Sequence, residues 1–423
     1  MTVDTLRSFP TRSAGPTGTA RARPRRRVCI VATHPIQYQS PWFRAMAAEA
    51  DFDLLVLFAH VASPREQGAA GFSVDFDWDV PLLEGFAYRI LQNVSRRPGV
   101  GSFSGLDTPE IGRVIEQGHF DAVIVLGWSH KSDWQAIGAC RSAGTPVMVR
   151  GDSHLRTPRR PIRRVAKQLT HRLFIPRFDA CLAVGTWSEE YFAAHGARRE
   201  RIFRVPHAID EPRFERDAAR FGPLRETLRE SWGFGPGQLI YLFAGKLIAR
   251  KRPLEFIRAV GLAARQNDRV AGLVVGDGPL RGACEAAVRR LGAPVRFAGF
   301  LNQSQIAAAY VASDALVLTS DGHETWGLVA NEAMFCGRPC VVSDAVGSGP
   351  DLIRAGCTGE VFSQGDVPAL SSLLVRFASE PGRLAAMGRN ARMHLQGYSI
   401  TAATNGLRQA LDAVSVGTRC DGS

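Results

Sequence analysis

The sequence predicts an α/β protein of two doubly wound domains facing each other across a cleft. Three observations carry this. Short apolar runs of strand length alternate with helical patterns from residue 28 to 206. A charged, Gly/Pro-rich interruption follows at 207–236. A second alternation of the same kind occupies 237–398. Apolar strands bounded by Gly, Pro or Asp, with helices between them, argue a parallel sheet covered on both faces. The length of 423 residues suits two or three domains at roughly 100–200 residues each.

Residues 1–27 hold seven Arg and one acid, Asp4, among Thr, Ser, Gly and Pro. Such a composition buries too little apolar surface to fold and reads as a disordered basic tail. In 28–206, strands are expected at 28–33, 54–58, 122–126, 147–150, 180–184 and 202–205. Helices are expected between them at 41–49, 109–117, 133–142 and 187–195. Residues 207–236 read as a linker with a charged helical stretch. In 237–398, strands are expected at 239–244, 273–275, 295–298, 315–319, 340–343 and 360–362. The last helical pattern, 399–416, is expected to pack back on the first domain. In such sheets ligands bind beyond the carboxyl ends of the strands, so the cleft is the expected site.

With 45% hydrophobic and 22% charged residues, the chain is neither disordered, collagen-like nor a disulfide scaffold. No apolar run approaches the roughly 18–20 residues that span a bilayer. The eight Cys are dispersed without metal-ligand spacing and suit free thiols in a reducing cytosol. The net charge of +12 is unevenly spread, and the tail supplies half of it. Residues 155–178 then carry eight Lys or Arg and no acid, with Ile162, Val165, Ala166, Leu169 and Leu173 at helical spacing. Two readings stand. One is an ordinary helix that packs its apolar face and solvates its basic one. The other is a surface helix that meets anionic lipid.

Two motifs carry chemistry. Glu324-Thr-Trp-Gly-Leu-Val-Ala-Asn-Glu332 follows a strand and opens a helix. Unpaired amides at Trp326, Gly327 and Leu328 would favour a phosphate or sugar oxygen, with one carboxylate for sugar hydroxyls and one for ribose. The alternative is a helix that merely carries acids in its first turns. Gly245-Lys246-Leu-Ile-Ala-Arg-Lys251 follows another strand and holds two of the only four Lys in the chain. An ammonium on a flexible stem suits a diphosphate, although a plain basic surface loop reads the same way. Gly276-Asp-Gly278-Pro-Leu-Arg-Gly282 lacks the dinucleotide spacing. Asp75-Phe-Asp77-Trp-Asp79 leads into Pro81 and reads as a surface loop rather than a metal motif.

These residues resemble a GT-B glycosyltransferase, with two Rossmann-like domains, of the retaining group called glycosyltransferase family 4. The resemblance rests on Glu324 with Glu332 and on Gly245, Lys246 and Lys251. It extends over Val274–Pro279, Val295–Leu301, Gly347–Ile353 and Thr358–Phe362, and more loosely over Val205–Asp210. It implies that Lys246 and Lys251 hold a donor diphosphate, that Glu332 binds ribose and that Glu324 contacts the transferred sugar. The backbone around Phe300 would lie beside the base, the amides near Trp326, Gly327 and Leu328 would face the sugar and phosphates, and Gly245 would open the lysine loop. It implies no metal cofactor, with the nucleotide-diphosphate sugar as donor and a glycan or polyprenyl-linked acceptor.

The chain also departs from that family. Residues 33–41 replace the usual Gly-Gly loop, so either Gln37 and Tyr38 contribute side chains there or acceptor residues occupy the space. Asp152 stands where the family often has a His, with His154 two residues on, and either could handle the acceptor proton. Arg150 is a further candidate for phosphate contact. The expectation is a cytoplasmic enzyme on the inner face of a membrane, making cell-surface polysaccharide or glycolipid, without nucleic acid as a partner. A nucleotide-sugar epimerase or phosphorylase on the same fold, or a non-catalytic basic membrane or nucleic-acid binding protein, are the alternatives.

Overall fold

The computed structural model describes residues 25–380 and 382–420. Among these, seven strands form the first sheet: β1 (Arg26–Ala32), β2 (Phe52–Phe58), β3 (Ala87–Ile90), β4 (Ala122–Val125), β5 (Val147–Gly151), β6 (Ala180–Ala183) and β7 (Ile202–Arg204). Six form the second: β8 (Leu239–Ala244), β9 (Val270–Val275), β10 (Val295–Gly299), β11 (Ala315–Leu318), β12 (Cys340–Ser343) and β13 (Gly359–Phe362). The orders are β3-β2-β1-β4-β5-β6-β7 and β10-β9-β8-β11-β12-β13, and the pairings are parallel. This is the GT-B arrangement of two doubly wound sheets. The unexpected strand is β3, whose four residues are all exposed at a sheet edge and so lack the apolar pattern that reveals the others.

Alternation along each strand builds two apolar layers per sheet. Val28, Ile30 and Ala32 enter one layer, and Cys29 and Val31 the other. In the second domain Tyr241 and Phe243 face one side while Ile240, Leu242 and Ala244 face the other.

Residues 1–24 of the expected tail lie outside the described residues. Arg26 and Arg27, expected in that tail, instead open β1. The Arg26 amide bonds Asp51 O at 2.8 Å, its guanidinium pairs with Asp412, and the Arg27 amide donates to Asp121 Oδ2 at 2.7 Å. The segment read as a linker, 207–236, is mostly part of the second domain. Helices Glu211–Phe221 and Arg225–Ser231 lie there. Phe214 joins the second domain's core, Arg213 donates to Gln303 Oε1 at 2.7 Å, and Arg225 reaches Asp314 at 2.7 Å. Packing on a neighbouring helix sheltered these apolar positions, and the sequence pattern alone showed only their charge.

The final helix, Ile400–Cys420, lies on the first domain. Its Ala403, Leu407, Ala410 and Leu411 enter the layer formed by Val28, Ile30 and Phe52. Arg408 Nε donates to Asp51 Oδ2 at 2.9 Å. The domains also lock directly. Asp351, from the second domain, accepts from the Thr186 amide at 2.9 Å and from Arg204 Nη1 at 3.0 Å. No helix among the described residues is long and apolar enough to cross a membrane.

Candidate active site

Both sheets reverse their winding between a first strand and its neighbour, between β1 and β4 and between β8 and β11. Ligands bind at such switch points, outside the carboxyl ends of the strands. The Gly245–Lys251 loop leaves β8 and the Thr319–Glu324 loop leaves β11, so the fold itself brings the two motifs together.

Lys251 and Glu324 form an ion pair, and both side chains are largely buried. Ser320 Oγ donates to the same Glu324 oxygen at 3.1 Å. Burial alone would raise the Glu324 pKa, but the Lys251 ammonium, the Ser320 hydroxyl and the charge of Arg250 outweigh it and hold the carboxyl below its ordinary value. Glu324 is therefore an anion beside a cation. Burial, then Arg250 and Lys251, lower the Lys246 pKa. Its ammonium donates to Ala70 O of the first domain at 2.8 Å.

Glu332 lies in the first turn of helix Val329–Phe335. It is 1% exposed. Tyr310 donates to its Oε2 at 2.6 Å, Tyr38 of the first domain faces it, and Oε1 has no hydrogen-bond partner among the described residues. Burial raises its pKa against the opposing pull of Tyr310, Arg213 and Tyr38. An unpartnered buried carboxylate oxygen is costly and is the kind of group a ligand hydroxyl satisfies.

The Trp326 side chain is buried in the seam between the domains. Its indole donates to Asn331 Oδ1 at 2.9 Å and sits in the second domain's core. It also seats the first domain, because a Cβ on Gly185 would come within 2.4 Å of the indole. Gly327 holds φ +94°, a conformation that favours glycine. The amides of Trp326, Gly327 and Leu328 have no protein acceptor among the described residues, so the backbone of this segment is what it offers to a ligand.

From the first domain, Asp152 meets the same loop. Thr325 Oγ1 donates to Asp152 Oδ2 at 2.7 Å. His154 is buried against Trp187, with ring centroids 5.1 Å apart. Its Nδ1 accepts the Arg156 amide at 3.2 Å, and burial pushes its pKa down to about 4. Of the two candidates for the acceptor proton, Asp152 is thus the one that touches the segment beside Glu324. Arg150 is not a phosphate contact. Its guanidinium donates to Val205 O at 3.2 Å and Pro206 O at 3.0 Å and lies over Trp42, so it fastens the interdomain crossing.

The acidic triplet is no free surface loop. Asn302 Nδ2 donates to Asp77 O at 2.7 Å and the Ser304 amide to Asp79 Oδ1 at 3.1 Å. Phe300 is covered by Phe72 and Phe76 from this same segment, at 5.3 and 4.5 Å between centroids. The clustering of Phe72, Phe76 and Trp78 was the signal in the sequence that could have marked it. Arg204 had none, since an ordinary polar residue acquires such a partner only when the domains face each other.

Two doubly wound domains thus face each other, with a lysine loop and an acidic loop meeting at a switch point. Residues 225–394 match the family described as glycosyl transferases group 1, and the chain is a glycosyltransferase of the GT-B fold. It is 28% identical over 73% of its length, and 80% of the relative's, to a D-inositol 3-phosphate glycosyltransferase of Actinosynnema mirum. It is 26% identical over 57% of its length, and 60% of the relative's, to the GDP-mannose-dependent α-(1-6)-phosphatidylinositol dimannoside mannosyltransferase of Mycobacterium tuberculosis. The crystal structure of Anabaena HepE in complex with UDP and glucose superposes with a TM-score of 0.65 at 18% identity, covering 92% of this chain and 99% of that one.

Proposed function

We propose that this chain transfers a glycosyl group from a nucleotide-diphosphate sugar to a lipid-linked or glycan acceptor, with retention, without a metal, in the manner of family 4. The observation that carries this is the meeting of Lys251 with Glu324, close to Lys246, at the β8/β11 switch point and opposite Asp152. The bond between the anomeric carbon and the diphosphate oxygen breaks, and the electron pair leaves with the diphosphate. Lys246 and Lys251 meet that charge. Glu324 faces the sugar as its ring becomes cationic. The acceptor hydroxyl attacks from the face the diphosphate leaves, and Asp152 orients it and takes its proton. The Glu332 oxygen left unpaired suits a ribose hydroxyl.

The acceptors of the two relatives, an inositol phosphate and a phosphatidylinositol glycan, support an acceptor of that kind. The basic helix supports a membrane setting, in cell-surface polysaccharide or glycolipid synthesis on the cytoplasmic face. Helix Pro161–Phe174 buries only His171. Its apolar residues Ile162, Val165, Leu169 and Leu173 are 84%, 56%, 61% and 65% exposed. An ordinary domain helix would have packed that stripe. Surrounded by arginines, it fits an anionic bilayer.

The test is an incubation with UDP- and GDP-sugars, with and without polyprenyl- or inositol-linked acceptors, followed by the anomeric configuration of the product. Product that requires both donor and acceptor, and keeps the donor's configuration, is expected. Conversion of donor alone would identify an epimerase instead.

A further inference from the structure

The segment that spans the cleft does more than close it. Lys246 Nζ donates to Ala70 O at 2.8 Å and lies 4.7 Å from the centroid of Phe72. Phe76 lies on Phe300 at 4.5 Å between centroids. Asp79 and Asn302 pin the far end of the segment. The approach is close enough that a Cβ on Gly278 would stand 2.9 Å from Gly71 O.

These contacts occupy positions that a nucleotide needs. A base held between the Phe76 and Phe300 rings would need about 7 Å between them, twice a contact distance of roughly 3.5 Å. The observed 4.5 Å leaves no such space. A carbonyl oxygen likewise takes the place on Lys246 where a phosphate oxygen is expected.

We infer that residues 70–76 are an intramolecular occupant of the donor site, with Ala70 O standing in for a phosphate oxygen at Lys246 and the Phe76 ring standing in for the base at Phe300. The inference rests on the donor site proposed above. The donor displaces the segment because a diphosphate carries charge that a carbonyl lacks, and its hydrogen bonds to an ammonium are correspondingly stronger. Base and phenyl stack comparably, so a nucleoside without phosphates does not displace it. The apparent donor affinity is then reduced by the fraction of molecules in which the segment is out of the site.

The experiment is a calorimetric titration of UDP and GDP, and of uridine and guanosine, into the full-length protein and its Phe76→Ala, Asp79→Ala and Lys246→Ala variants. Thermal melts confirm that each variant is folded. Phe76→Ala is expected to tighten nucleoside diphosphate binding about threefold to tenfold, the worth of an aromatic pair. Asp79→Ala, which loosens the segment outside the donor site, is expected to shift it the same way by less. Lys246→Ala should weaken it. Weaker or unchanged binding in both Phe76→Ala and Asp79→Ala overturns the inference, because the segment is then a wall of the site and not a competitor. Binding that is unmoved by Lys246→Ala, or absent throughout, sinks the donor-site reading itself.

Discussion

Thr325 of the second domain donates its hydroxyl to the Asp152 carboxylate of the first at 2.7 Å. The bond joins the residue beside Glu324 to the residue proposed to orient the acceptor. Thr325→Val should lower kcat roughly tenfold or more, the worth of a hydrogen bond to a charged group, with donor KM little changed. Thr325→Ser should restore most of the rate. Steady-state kinetics with varied donor decides it, and a pure KM effect would count against this role.

Lys251→Ala removes the ammonium beside Glu324 and a proposed partner of the diphosphate. A fall in kcat/KM of about a hundredfold or more is expected, as for the loss of one preorganised stabilising donor. The variant also leaves a buried carboxylate unpaired, so its melting temperature should drop. Normal turnover in the folded variant would contradict the assignment.

Glu332 has its pKa raised by burial. Its native state favours the protonated form, so its contribution to stability is full below the ordinary carboxylate pKa and is lost as pH rises through the raised value. Glu332→Gln keeps the neutral shape. It should melt higher than the natural protein at pH 7.5, by roughly 2–4 °C for each kcal/mol relieved, and match it near pH 4. Donor affinity should fall. Equal melting curves at both pH values would show the carboxylate to be unstrained.

Several histidines of the first domain are held neutral by burial. The pKa of His34 is lowered to about 4, that of His154 to about 4 and that of His171 to about 3. A depressed pKa gives stability that is complete above the ordinary value of about 6.5 and is lost as pH falls toward the native value. The first domain should therefore weaken between pH 6.5 and about 3–4, ahead of the second. Hydrogen exchange at pH 7 and 5 would show it, and a uniform loss across both domains would not fit.

Ile162→Glu with Leu169→Glu places charges on the exposed apolar stripe. Co-sedimentation with phosphatidylglycerol vesicles should fall about tenfold or more, because each change loses apolar burial and adds repulsion. Transfer to a water-soluble acceptor should persist. Unchanged vesicle binding would remove the helix from the membrane reading.

The sequence made the frame legible because strands buried on both faces are continuous apolar runs, and because Lys246, Lys251, Glu324 and Glu332 keep fixed distances from strand ends. What it hid depends on contacts between residues far apart in the chain, some of them across the domains. Arg150 looked like a phosphate ligand, yet it holds the Val205 and Pro206 carbonyls. Phe76 looked like a loop residue, yet it covers Phe300. Glu211–Phe221 looked like a linker because its apolar residues are few, yet Phe214 is fully buried against Tyr310.

The chain passes between the domains at 205–210 and again at 395–400, and the Ile400 amide donates to Glu211 Oε2 at 3.0 Å. Two crossings fastened to each other act as a doorpost. Two strands of chain hold the domains at two joined points, which restricts sliding and twisting more than a single linker would. The contacts of Lys246 with Ala70 and of Thr325 with Asp152 tie the domains at further points, separate from that post. A cut in the backbone at either crossing would leave each domain's own residues arranged as before and remove one of the two joints that hold the halves of the site in register.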